Sequence, residues 1–235
     1  MVVVPAFNFL WNIEVVGSRH VPSTGGAVIA PNHLSVIDHF MLGAALDRRI
    51  TYVGKAEYLD DWKTRRLFPA LGMIPLDRGG GSKAERALSA AARCLGAGEL
   101  FGIYPEGTRS RDGDLHRGHT GVARLALRTG SPIVPTGLIG TDEVQPAGAP
   151  APRPFKAVRV SFGRPIDVTR YQGRTDDRLL LRQITDEVMY EIRELSKQRY
   201  VDTYANAKPD DAAISAERAE VGTTVKVPTA VAVAG

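Results

Sequence analysis

Ala27-Val28-Ile29-Ala30-Pro31-Asn32-His33-Leu34-Ser35-Val36-Ile37-Asp38 is the stretch from which the fold can be read. The apolar run Ala27 to Ala30 has the length of a buried strand and is closed by Pro31. The next apolar run, Phe40 to Leu46, reads as a helix. Strand, turn and helix in this order form the repeating unit of an α/β sheet. His33 and Asp38 fall in the turn, five residues apart. If the backbone folds back there, the carboxylate can hold one ring nitrogen while the other accepts a proton from a substrate. In the plainer alternative Asp38 caps the helix and His33 is a satisfied loop residue. The stretch alone leaves both open.

The rest of the chain repeats the unit. Ile13 to Val16 reads as a first strand, ended by Gly17, and Pro22 to Gly26 as a turn. Further strands are expected at Arg49–Gly54, Gly72–Leu76, Leu100–Tyr104, around Ile133–Leu138 and at Val158–Phe162. A helix over Lys83–Leu95 has Ser82 as a cap with Glu85 three residues on, and Gly96 and Gly98 to stop it. Gly121–Arg128 and a long charged stretch, Asp176–Tyr204, read as two more helices. Gly79-Gly80-Gly81 reads as a turn. The alternation predicts a single α/β domain with a central, mostly parallel sheet flanked by helices. The expected organisation is a short apolar N-terminal segment over 1–12, one domain over 13–204 and a largely disordered tail over 205–235, where periodicity is lost.

Composition narrows the function classes. The 235 residues are 43% hydrophobic, enough for one sizeable core. A net charge of +4 suits anionic partners such as a phosphorylated substrate, a nucleotide-bearing cofactor or an anionic membrane surface. Aromatics make up only 7%, and no RNA-binding or zinc-finger signature is present, so nucleic acid is not an expected partner. The single cysteine, Cys94, has no partner for an intramolecular disulfide. No stretch has the length and apolarity of a spanning helix. Met1–Trp11, without charge but with Phe7, Phe9, Leu10 and Trp11, reads equally as a membrane-interfacial segment or as a short segment packed on the core. The basic, aromatic stretch Tyr58–Leu71 reads as a surface helix with a core face, with rest on lipid head groups as the alternative.

A second stretch, Tyr104-Pro105-Glu106-Gly107-Thr108-Arg109-Ser110, comes after another expected strand. Ligands in open α/β sheets bind beyond the carboxyl ends of strands. Gly107 allows close backbone approach, and the N–H groups around it can form an anion nest. Arg109 offers a planar fork for a phosphate, with Thr108 and Ser110 as hydroxyl donors. Glu106 has the wrong charge to hold a phosphate and is expected to orient an arginine. Arg78, after another strand, is a second phosphate candidate. There is no G-x-S-x-G elbow, P-loop or H-E-x-x-H helix, and His116 and His119 lack the further ligands of a metal site.

In four blocks, taken in order, the chain resembles the lysophosphatidic acid acyltransferase family of glycerolipid acyltransferases. Asn32 to Asp38 is similar to its N-H-x-x-x-x-D, Gly72 to Arg78 to its arginine-ended block, and Tyr104 to Ser110 to its P-E-G-T-R-S block, with Tyr in place of the usual Phe. Ser131-Pro132-Ile133-Val134-Pro135 is similar to its apolar proline-containing strand. The resemblance covers roughly Ile13 to Asp167. It implies an enzyme that moves an acyl group from acyl-CoA or acyl-carrier protein to the free hydroxyl of a lysophosphatidic acid, with no bound cofactor and no metal. His33 would be the general base and Asp38 would hold its tautomer. Arg78, Glu106, Gly107, Thr108 and Arg109 would form the phosphate site, with Lys55 as a further phosphate contact and Ser35 as a helix-start residue.

The implied place of work is the cytoplasmic side of the cell membrane, peripherally attached, since the first block begins early and leaves little room for a long anchor. His119 stands where relatives often carry a lysine, which bears on the choice of acceptor. The alternatives are another acceptor (glycerol 3-phosphate, a different lysophospholipid or a glycolipid) or a non-catalytic lipid- or nucleotide-binding protein.

Overall fold

The computed structural model describes residues 10–55, 72–76 and 83–205. Met1–Phe9, Tyr58–Leu71, Arg78, the Gly79–Gly81 turn with its Ser82 cap, and the tail beyond Ala205 lie outside the described residues.

In chain order the elements are β1 (Asn12–Val16), β2 (Ala27–Pro31), α1 (Asp38–Ala44), β3 (Ile50–Lys55), β4 (Met73–Leu76), α2 (Lys83–Gly96) and β5 (Leu100–Gly102). They continue with β6 (Leu115–His116), α3 (Gly121–Thr129), β7 (Ile133–Ile139), α4 (Thr141–Val144), β8 (Ala157–Phe162), α5 (Arg178–Ser196) and β9 (Tyr200–Val201). Seven strands form one sheet in the order β1-β8-β7-β2-β5-β3-β4. Every pairing in it is parallel except β7 with β8. The chain is thus an α/β domain with a mostly parallel sheet.

Both faces of the sheet are covered, and the period of two along β2 says how. Val28 and Ala30 enter a core built with α2, α3 and α5, including Leu95, Leu125, Leu181, Val188 and Ile192. Ala27 and Ile29 enter the opposite core with Met41 and Leu42 of α1 and Val158 and Val160 of β8. All five residues of β2 are buried, which accounts for its continuous apolar run.

Three elements differ from expectation by more than one residue at an end. The helix after β2 spans Asp38–Ala44 rather than Phe40–Leu46. β5 stops at Gly102 rather than Tyr104, although the Ile103 N–H still donates to the Ile29 carbonyl at 3.0 Å, and the chain then turns with the Gly107 N–H on the Tyr104 carbonyl. The long C-terminal stretch is not one helix to Tyr204. It begins after Asp177, whose carboxylate accepts the Leu180 N–H, and ends at Ser196 with Lys197 in the left-handed region at φ 61°. The chain then pairs β9 with β6 in a separate parallel ribbon.

The carboxyl ends of β2, β5, β3 and β7 share one edge of the sheet. β8 runs against β7, and β1 runs with β8, so the amino ends of β1 and β8 reach the same edge. Both motif stretches leave the sheet there.

Candidate active site

Asn32 starts the site by ending β2. Its side chain, fully buried, acts as a detached peptide group: Oδ1 accepts the Leu138 N–H at 2.7 Å, and Nδ2 donates to the Leu138 carbonyl at 3.0 Å. The ladder with β7 is thereby extended while the main chain turns away at His33. Nδ2 also donates to Gln198 Oε1 at 2.7 Å, and Gln198 Nε2 donates to the Gly113 carbonyl at 2.8 Å.

Asp38 is the first residue of α1 and is fully buried. It does not cap the helix, because its Oδ2 faces back into the turn and takes three donors. These are His33 Nδ1 at 2.8 Å, the Leu34 N–H at 2.8 Å and the Ser35 N–H at 2.9 Å. Two backbone donors fix the carboxylate before it meets the ring, and charge-assisted bonds of this kind are strong. With Nδ1–H donated to Asp38, a neutral His33 carries its free lone pair on Nε2. Ser35 is buried, and its hydroxyl donates to the Gln145 carbonyl at 2.7 Å, tying the turn to the segment after α4.

The second stretch grips the main chain of His33 from both sides. Glu106 Oε1 accepts the His33 N–H at 3.2 Å, and the Ser110 N–H donates to the His33 carbonyl at 2.7 Å. Glu106 Oε2 accepts the His116 N–H of β6 at 3.0 Å. Glu106 is 1% exposed and, among the described residues, bonds no arginine. Expected from the sequence to orient an arginine, Glu106 instead binds two backbone amides among the described residues. Two buried backbone amides need an acceptor, and Glu106 supplies it.

Burial raises the Glu106 carboxyl from 4.5 to about 7, opposed by the amides of His116 and His33. The folded protein therefore holds this proton more tightly than the unfolded chain. The group's contribution to stability is full below about pH 4.5 and is lost as pH rises to about 7. Relative to Glu106→Gln, the wild type should lose roughly 2–3 kcal/mol between about pH 5 and about pH 8. Urea melts of both proteins at the two pH values measure this, and a constant difference would contradict the raised carboxyl.

Rings wall the imidazole. Tyr104 stacks on His33 with centroids 3.8 Å apart and planes 20° from parallel. His39 stands edge-on to Tyr52 at 4.6 Å and to Tyr104 at 5.1 Å. Burial, with the His33 ring nearby, lowers His39 to about 4, so it is a neutral packing ring near neutral pH. Tyr52 fits only because Gly102 lies opposite: a Cβ there would come within 2.0 Å of the phenol ring. None of these partners is announced by spacing, although His39 adjoins Asp38 in sequence and Tyr104 opens the second stretch.

Gly107 has φ 74°, the left-handed conformation that glycine tolerates, and sits under His119, whose N–H donates to the Pro105 carbonyl at 2.8 Å. His119 stacks on Tyr204 at 4.5 Å. Thr108 is half-buried and Arg109 exposed, and neither side chain bonds a described residue. Lys55 closes β3 at the same edge. Among the described residues, no group of three His, Cys, Asp or Glu is placed to hold a metal ion.

The arrangement is a histidine whose Nδ1 is held by a buried carboxylate, beside a loop that carries Thr108 and the exposed Arg109. A family model described as Acyltransferase matches residues 12–139, which include both motif stretches. The chain is 29% identical to a chloroplastic 1-acyl-sn-glycerol-3-phosphate acyltransferase of Arabidopsis thaliana, over 66% of this chain and 44% of that protein. It is 28% identical to a 1-acyl-sn-glycerol-3-phosphate acyltransferase of Borreliella burgdorferi, over 55% of this chain and 52% of that one. An uncharacterized protein of Mycobacterium leprae is 29% identical over 80% of this chain and 60% of its own length. The chain thus spans less than two thirds of these curated relatives. The crystal structure of the lysophosphatidic acid acyltransferase PlsC of Thermotoga maritima superposes with a TM-score of 0.62 at 26% identity, covering 81% of this chain and 74% of that one. With the motifs, the sheet and the family match in agreement, the chain belongs to the acyltransferase family.

Proposed function

We propose that this protein transfers an acyl group from acyl-CoA or acyl-carrier protein to the free hydroxyl of a lysophosphatidic acid, giving phosphatidic acid for phospholipid synthesis. The observation that carries the reading is the fixation of His33: its Nδ1 is held by Asp38 and its peptide by Glu106 and Ser110, which leaves Nε2 as the base. The acceptor oxygen attacks the thioester carbonyl as His33 Nε2 takes its proton. The tetrahedral adduct collapses, the C–S bond breaks, and the thiolate leaves with the proton returned from His33. No protein nucleophile is needed, and no bound cofactor or metal enters any step.

The acceptor's phosphate is assigned to the N–H groups around Gly107, to Thr108 and to Arg109, with Arg78 and Lys55 as further candidates. Glu106 serves this site through the backbone rather than by touching the anion. The protein is proposed to work peripherally on the cytoplasmic face of the membrane. Among the described residues, no helix is long and apolar enough to cross a membrane. Acyl-CoA consumption with chromatographic identification of the product tests the reading: phosphatidic acid should form from lysophosphatidic acid, and a different acylated product would reassign the acceptor.

Arg109 gives a sharper check. A guanidinium–phosphate bond is charge-assisted, so Arg109→Ala should raise the KM for lysophosphatidic acid roughly ten- to hundredfold. Arg109→Lys should rescue only in part, since the fork is lost. Monoacylglycerol, which lacks the phosphate, should be turned over almost as well by Arg109→Ala as by wild type. Equal losses on both acceptors, with a lowered melting temperature, would make Arg109 structural instead.

A further inference from the structure

The catalytic edge of the sheet carries an aromatic side chain with no structural task. Phe155, on the loop entering β8, is 75% exposed. Its φ is 61°, a conformation that bulky L-residues rarely adopt. It is held there firmly: its N–H donates to the Leu10 carbonyl at 2.7 Å, and Trp11 Nε1 donates to the Arg153 carbonyl at 2.7 Å. A glycine or asparagine would take this backbone more easily. An exposed phenyl ring in an unfavourable backbone conformation points to a use outside the fold.

We propose that Phe155 is a lipid-inserting residue, which seats the catalytic edge on a bilayer. Three observations favour a lipid surface. First, the edge is the right one: Arg159 of β8 pairs with Ile139 at the carboxyl end of β7, and the Arg153 N–H donates to the Val144 carbonyl. The adjacent Gln145 accepts the Ser35 hydroxyl in the turn that holds His33, and the next residue, Val36, is 44% exposed. Second, by sequence the nine residues before Leu10, Met1–Phe9, carry no charged side chain, while Leu10 and Trp11 themselves pack on the core. Third, Arg153 beside Phe155, and Arg109 and Arg111 at the same edge, are exposed cations that suit anionic headgroups. The same cations disfavour pairing this edge with a second copy. The proposal deepens the peripheral-membrane part of the proposed function by naming the contact. It is tested without substrate, so that it stands or fails apart from the chemistry.

The full chain, Phe155→Gly and Phe155→Trp are sedimented with phosphatidylcholine–phosphatidylglycerol vesicles. Wild type should partition onto the vesicles, Phe155→Gly should partition roughly three- to tenfold less, and Phe155→Trp at least as well as wild type. The melting temperature of Phe155→Gly should be unchanged or higher, because glycine is at ease at φ 61°. Lost vesicle binding without lost stability separates a lipid contact from a packing role. Equal partition of wild type and Phe155→Gly, or a wild type that stays in solution, would overturn the proposal. If the vesicle order holds while no acceptor is acylated, the lipid contact stands and the acyl-transfer reading falls.

Discussion

Replacement of His33 by alanine is expected to lower acyl transfer by roughly 10²- to 10⁴-fold, with the fold retained. The His33 peptide is bonded by Glu106 and Ser110 through main-chain atoms, and these bonds survive in alanine. The imidazole is only 13% exposed and packs on Tyr104 and, edge-on, on His39, so its loss also leaves a cavity and lowers the melting temperature, while the main-chain bonds retain the fold. What disappears is the proposed proton acceptor at Nε2. The loss should therefore fall on kcat, with acceptor KM nearly unchanged, because the proposed phosphate donors are untouched. Steady-state kinetics with a thermal melt on the same preparation check both halves. Near-normal turnover by folded His33→Ala would remove His33 from the chemistry.

Asp38→Ala is expected to be the more damaging change to the structure. One buried oxygen accepts from His33 Nδ1, the Leu34 N–H and the Ser35 N–H, and alanine leaves all three without a partner. Stability should fall by roughly 3–5 kcal/mol. Activity should fall together with it, because the ring loses both its orientation and the charge that stabilises the imidazolium. Asp38→Asn separates the two effects. Its amide oxygen can still accept the two backbone N–H groups, so most of the stability should return. It carries no charge, so the rate should not return. Urea melts and single-turnover rates on the three proteins read this out, and recovery of the rate in Asp38→Asn would reduce Asp38 to a structural residue.

Much of this is legible in the chain. β2 can be read from an uninterrupted apolar run because it is buried on both faces. His33 and Asp38 can be paired because both lie within one turn. Glu106 misleads for a physical reason. In sequence its nearest opposite charge is Arg109, whereas its partners are two backbone N–H groups, one of them on β6, a two-residue strand too short to leave a period. The end of α5 is hidden because no glycine or proline marks it. Lys197 turns the chain with its own backbone, and the residues beyond it are held by Gln198 bonding Asn32 and Gly113 and by β9 pairing with β6. Phe155 is inconspicuous in a proline- and alanine-rich loop, since exposure and a positive φ are properties of the folded chain.

We propose that His33, held by Asp38, activates the acceptor for direct attack on a thioester. Release of free CoA thiol from acyl-CoA by wild type and by His33→Ala, each with and without lysophosphatidic acid, tests it most directly. Wild type should release thiol only when acceptor is present, one for each phosphatidic acid formed, and His33→Ala should release almost none in either case. A burst of thiol from wild type without acceptor, or equal release by His33→Ala, would contradict it.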